Sequence, residues 1–407
     1  MTWRMQKADA RGRAEAGNVQ ELGRPVTKWT YAIAPNFNTY LAIGSDGTIY
    51  MNWTVDGVNY LYAFNPSGAV KWSSVIRNST AAYGSPRVRT VGGQDIIYVA
   101  YSKDMGGHNR GAIRAIDNAG GLIGDIEIVN SASSTADTSI HEDSIAIDEN
   151  GNIYCSGHER ISSGNNHFLY KYSAAGVRLL HHYIYRSTTG FFRAGAFVIY
   201  EGMAFTNFRN QVYKIDGSNV YDYTYSTSKF TNPISISDNV IYTPINDTSL
   251  LALNLDLTTK WEVPYGNTPS QVAIGMDGVI YFCVYNNNLV YSLYPNGTEK
   301  WNAIFTGPRE MMLSGNDIVH AVANSIRAFS PVDGSTIWTL SSPRTVVPRS
   351  LVMAKDGSFY NIVQDSSGKR LHAWKGCGLT KAIPYLANTK GTNPKAGQII
   401  PHRAKIT

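Results

Sequence analysis

Three Pro-Arg pairs stand at matching places along the chain: Pro86-Arg87, Pro308-Arg309 and Pro348-Arg349. Arg193 falls within one position of the same place in a fourth segment. Each precedes a short apolar stretch. A guanidinium holds carboxylates and phosphates through a planar fork of donors. Several at one face would attract a carboxylate, a phosphate, a glycan bearing acid groups or an acidic loop of a partner. Arg87, Arg193, Arg309 and Arg349 are therefore the candidate ligand-binding residues. The competing reading has each guanidinium pairing locally or capping its own loop.

The other residues with reactive side chains are scattered. His141-Glu142-Asp143 and His108 fall in loops; together they suggest a metal or acid–base site, against the plainer reading of solvated polar loops. No second ligand group has matching spacing, so the plainer reading is adopted and no metal is expected. His181-His182 follows the end of a repeat unit and is expected at the surface. Cys155, Cys283 and Cys377 are isolated and odd in number, which fits buried inert thiols and no disulfide framework. There is no Gly-x-x-x-x-Gly-Lys loop, no His-Glu-x-x-His and no Cys-x-x-Cys. Ser45-Asp46-Gly47-Thr48 departs from the spacing of a sialidase Asp box. No catalytic residue and no cofactor are expected.

The chain has 407 residues, of which 16% are charged and 12% aromatic, with 26 Tyr. That composition excludes a disordered chain and a coiled coil. No apolar run reaches about 18 residues, so no membrane-spanning helix is expected. The opening Met1-Thr2-Trp3-Arg4-Met5-Gln6-Lys7 does not read as a signal peptide. The net charge of +6 is matched by the segment from Lys375 onward, which holds Lys375, Lys381, Lys390, Lys395, Arg403 and Lys405 and no acid. The remainder is neutral and is not expected to bind nucleic acid.

A repeat organises these residues. Leu41-Ala-Ile-Gly-Ser-Asp46-Gly47-Thr-Ile-Tyr50 returns as 145–154, 272–281 and 351–360. The Asp-Gly or Asn-Gly pair supplies residues that tolerate a positive φ, and a two-residue hairpin is expected at each. A second hairpin follows, as in Leu61-Tyr-Ala-Phe-Asn-Pro-Ser-Gly68-Ala-Val-Lys71-Trp72, and returns at 290–301 and 326–338. Each unit is thus four antiparallel strands in meander order, the last often carrying a Trp. Eight units are expected, at about 41–76, 84–130, 144–184, 195–227, 232–263, 269–305, 309–342 and 348–383. Four-stranded sheets at this period are blades of a β-propeller. The repeated Trp and Tyr are expected to pack between blades, Trp72, Trp261, Trp301 and Trp338 at equivalent, mostly buried positions. Segment 26–33, with Trp29, reads as a last strand placed at the front of the chain. It is expected to pair with the eighth unit and close the ring; alternatively 378–383 keeps that place.

The Lys/Thr-x-Trp strand endings and the Asp-Gly-x-Ile-Tyr hairpins, over about 34–384, resemble the quinoprotein (PQQ-like) propeller repeats. That resemblance implies a propeller and leaves activity open, since the repeat serves dehydrogenases and non-catalytic scaffolds alike. The vicinal cysteine pair and calcium-site acids of the dehydrogenases have no counterpart here. The expected architecture is all-β: an N-terminal arm (1–25), one eight-bladed propeller (26–384) and a basic C-terminal arm (385–407). The expected function is non-enzymatic, a structural and interaction module among the protein subunits of a larger assembly, with a bacteriophage virion or tail as the specific expectation. The alternatives are a ligand-binding propeller for a glycan or small anion and a quinoprotein-like oxidoreductase.

Overall fold

The computed structural model describes residues 25–33, 41–77, 84–105, 109–128, 137–141, 144–161, 164–188, 195–225, 232–245, 249–314, 319–340, 345–346, 351–354, 356–365 and 368–375. Among them there is no α-helix, and one 3-10 turn spans Tyr285–Asn287. No helix is long and apolar enough to cross a membrane. The strands form eight antiparallel sheets, the blades of an eight-bladed propeller. Blade one shows the pattern: Leu41–Ile43, Ile49–Val55, Val58–Phe64 and Val70–Arg77 pair in sequence order. Blades two to seven span 87–127, 138–187, 198–224, 235–264, 273–304 and 310–340.

Blade eight is built from both ends of the ring. Val26–Ile33 pairs antiparallel with Gly368–Lys375, placing Trp29 opposite Ala373. Segment 378–383, the alternative for that place, lies outside the described residues. Blade three begins earlier than the repeat suggests, because Thr138–Ile140 adds a strand against Ile153–Ile161. The arms, 1–24 and 385–407, lie outside the described residues.

The core is a ring of interfaces. Eight apolar clusters each join side chains of two adjacent blades. One couples Ile362 and Leu371 of blade eight to Leu41, Ile49 and Phe64 of blade one, so the set closes on itself. Inner strands such as Ile280–Val284 are buried at every position, because both faces meet a neighbouring blade. Outermost strands alternate or are largely exposed, as Thr259–Pro264 shows.

The turns correct one expectation. At 44–48, Gly44 N–H donates to Thr48 O at 2.8 Å and Gly47 N–H to Gly44 O at 3.1 Å. Gly47 sits at φ 84° while Asp46 is absent from the positive-φ residues. The connection is thus a three-residue loop, a type I turn ending on a left-handed glycine, not a two-residue hairpin. Asp46 Oδ1 accepts the Thr48 N–H at 2.8 Å and fixes the turn from within.

The tryptophans lock blade to blade. Trp72 faces Ala63 across its own sheet, Trp261 faces Ala252, Trp301 faces Ser292 and Trp29 faces Ala373. A small residue there lets the indole reach the tyrosine one strand further in. The ring centroids of Tyr50–Trp72, Tyr242–Trp261, Tyr281–Trp301 and Trp29–Tyr360 lie 5.8–5.9 Å apart. Each indole N–H then crosses to the next blade: Trp72 to Asn118 O, Trp261 to Pro295 O and Trp301 to Pro331 O, at 2.9–3.1 Å. Trp338 holds the same register opposite Ala328 and stacks on Phe359 of blade eight. Trp301 and Trp338 are buried, whereas Trp72 and Trp261 are half-buried.

Candidate functional site

The expected arginine face divides. Arg87 opens the innermost strand of blade two, is 4% exposed, and donates from Nε to Ile145 O of blade three at 2.9 Å. Its neighbour Arg89 reaches the same blade, donating to Glu149 O at 2.9 Å. Arg309 is exposed; its backbone N–H donates to Val322 O and its guanidinium lies 5.1 Å from the Tyr285 ring centre. Arg193 and Arg349 lie outside the described residues. Arg87 thus serves the packing of two blades and Arg309 stacks on an aromatic ring.

The geometry concentrates elsewhere. In blade three, Ile153–Ile161 and Gly164–Tyr172 run nine residues each, where the corresponding Ile280–Val284 and Leu289–Leu293 of blade six run five. In the extension His158 stands directly opposite His167. His141, one residue beyond Thr138–Ile140, donates its backbone N–H to Ser156 O at 2.8 Å. That bond continues the sheet and turns His141 inward. The solvated-loop reading therefore fails for His141, which is 4% exposed. Glu142, Asp143 and His108 lie outside the described residues.

The three imidazoles form a near-equilateral triangle. Their ring centroids are 5.8 Å apart for His141–His158, 5.4 Å for His141–His167 and 5.6 Å for His158–His167. Each offers one ring nitrogen to a common region, and these atoms lie within 4.8 Å of one another. Serines orient two of the rings: His141 Nδ1 contacts Ser156 Oγ at 2.9 Å and His167 Nε2 contacts Ser187 Oγ at 3.1 Å. Phe208 of blade four walls the cluster, 5.3 Å from His167 and 6.5 Å from His141. Tyr185 stands 6.2 Å from His167 and carries Arg209 over its face at 4.0 Å.

Burial pulls His158 down to about 4, and burial with the charges of His158 and Arg209 pulls His167 to about 4. Both rings are therefore neutral Lewis bases at ordinary pH. Glu159 points to the opposite face of its strand, as strand alternation requires, and accepts from Tyr170 Oη at 3.3 Å. His181 lies 3.3 Å from that carboxylate and packs 4.2 Å from Phe168, so it is partly buried and not a surface group. Cys155 and Cys283 are buried free thiols, and burial pushes Cys155 upward, as inert cysteines require. Cys377 lies outside the described residues.

His158 and His167 carried no sequence motif, yet one signal was present. A hairpin turning between Ile161 and Gly164 places 158 against 167 by register alone. Adding His141 requires the extra strand Thr138–Ile140, which lies before the unit read from the repeat; blade eight has a similar extra strand at Thr345–Val346.

No protein-family model matches the chain, and no curated relative matches it. Solved structures do. BamB from Moraxella catarrhalis is similar at 11% identity with a TM-score of 0.55, covering 87% of this chain and 98% of that one. Streptogramin B lyase is similar at 13% identity and a TM-score of 0.46, covering 69% of this chain and 98% of that one. The quinohemoprotein alcohol dehydrogenase ADHIIG from Pseudomonas putida HK5 follows at 11% identity and a TM-score of 0.43, covering 97% of this chain and 82% of that one. At such identities the likeness to BamB is one of fold, and it agrees with the eight-bladed propeller.

Proposed function

We propose that this chain is a non-catalytic β-propeller that docks onto other protein subunits of a larger assembly. The observation that carries it is the apolar surface of the outermost strands. Leu122 and Ile123 of blade two are 62% and 55% exposed, Leu179 and Tyr183 of blade three 46% and 50%, and Ile304 of blade six 75%. These strands pair on one side only, so unpaired backbone groups run beside the exposed side chains. Apolar side chains next to an open strand edge favour a protein partner that adds a strand or covers the rim. The finer form of the proposal, a bacteriophage virion or tail component, goes with the low charge and the 26 Tyr. The test is native mass after gentle recovery from the source material. A multisubunit particle containing this chain at fixed stoichiometry is expected. A lone chain of 44.7 kDa at every concentration overturns the proposal.

A further inference from the structure

We propose that His141, His158 and His167 form a three-imidazole site for a divalent transition-metal ion of the zinc class, with water as the fourth ligand. The site lies inside blade three, apart from the exposed rim, and its test does not depend on a partner.

Donor set, spacing and enclosure all fit that ion. Imidazole nitrogens suit zinc and its neighbours, whereas calcium and magnesium take oxygen ligands. Tetrahedral zinc with nitrogens at about 2.0–2.1 Å sets those nitrogens about 3.3 Å apart. The nitrogens here lie within 4.8 Å of one another on rings already grouped around one point. Closing on an ion therefore asks for small side-chain rotations and no change of strand register. His158 and His167 are a cross-strand pair, so two ligands come from one ladder and the third from the residue that follows the added strand.

The surroundings supply the outer half of a metal site. With His141 Nδ1 and His167 Nε2 turned to the serine hydroxyls of Ser156 and Ser187, the ion takes His141 Nε2 and His167 Nδ1. Each serine oxygen then accepts an N–H from the ring it orients, which fixes the tautomer. Phe208 closes one side with an apolar wall and limits the coordination number. Arg209 places a positive charge near His167, which opposes the ion and favours hydroxide or another anion in the fourth position.

The full chain, prepared in chelator, is equilibrated with zinc sulfate, desalted and assayed for metal. One zinc per chain is expected. His158→Gln/His167→Gln should bind at least about tenfold more weakly, since two of three ligands are gone. His320→Gln, in the equally buried imidazole of blade seven, should bind as the wild type does. Zinc below about one tenth of an equivalent in the wild type, or undiminished zinc in the double variant, overturns the proposal. X-ray absorption of the zinc-loaded wild type decides the matter even if the double variant does not fold. Three imidazoles and one oxygen at about 2.0–2.1 Å are expected. Two imidazoles or fewer, or a sulfur ligand, overturn it.

Discussion

Trp29 donates its indole N–H to the carbonyl oxygen of Pro66 at 2.9 Å, and Gly68 beneath it has no side chain to block the ring. Trp29 belongs to blade eight and Pro66 to blade one. The contact that elsewhere joins neighbouring blades is here made across the seam of the ring.

Trp301 is the most buried member of that set with an indole-to-carbonyl bond. Trp301→Ala should cost about 3–5 kcal/mol, through lost burial and the void left behind. Trp72→Ala should cost less, since Trp72 is half-buried. Chemical denaturation of the two variants checks the order; equal losses would refute it.

Gly334 lies under Trp301 at φ 72°, where an added Cβ would come within 2.6 Å of the indole. Gly202, at φ 77°, has nothing within 4 Å. Gly202→Ala should cost about 1–2 kcal/mol, the backbone penalty alone. Gly334→Ala should cost clearly more, because the indole must leave its carbonyl. Melting midpoints of both variants separate strain from displacement.

His320 is buried beside Trp338, 5.4 Å between ring centres, and burial holds it down to about 4. The unfolded chain takes up that proton near pH 6.5, the folded one only near 4. This group therefore leaves stability unchanged above about pH 6.5 and erodes it as pH falls toward 4. The loss from pH 7 to pH 5 is about 2 kcal/mol. Urea midpoints of wild type and His320→Leu should diverge in their pH slopes across that interval, with the wild type steeper. Parallel slopes would refute the assignment.

Arg87→Met should lower the melting temperature, because the Ile145 carbonyl loses its donor between blades two and three. Heparin affinity, measured by calorimetry, should match the wild type. A drop in heparin affinity without loss of stability would return Arg87 to an anion-binding role.

Leu122→Lys/Ile123→Lys should change the unfolding free energy by no more than about 1 kcal/mol, about 0.5 per site, since both side chains are exposed. The same change should release the chain from its native particle. Retention in the particle would remove this part of the rim from the interface.

The propeller was legible because its signals are local and repeated. Asp46-Gly47 and Asp277-Gly278 mark turns, Tyr50 and Tyr281 follow at the same distance, and Trp72 and Trp301 end the units. Even the closing strand could be read, since Trp29 stands at the wrong end of the chain for its type. The turn class was not legible: Asp-Gly permits either a two-residue loop or a left-handed glycine after a type I turn, and the structure takes the second. The histidine triangle was hidden for another reason. His141 reads as part of a polar loop until the backbone bond to Ser156 turns it into the sheet. Likewise Arg87 looks like a ligand-binding cation until the neighbouring Ile145 carbonyl is placed beside it.

Strand Val26–Ile33 is the first of the described strands in chain order, and its partner Gly368–Lys375 is the last. Trp53, Phe64 and Pro66 of blade one lie close to Tyr31 and Trp29 in sequence, whereas Tyr360 and the whole antiparallel ladder come from the far end of the chain. Closure pairs segments of very large sequence separation, a slow step on topological grounds. A circular permutant joining Val26–Ile33 directly after blade eight would abolish that separation and fold faster, with the same final set of inter-blade contacts.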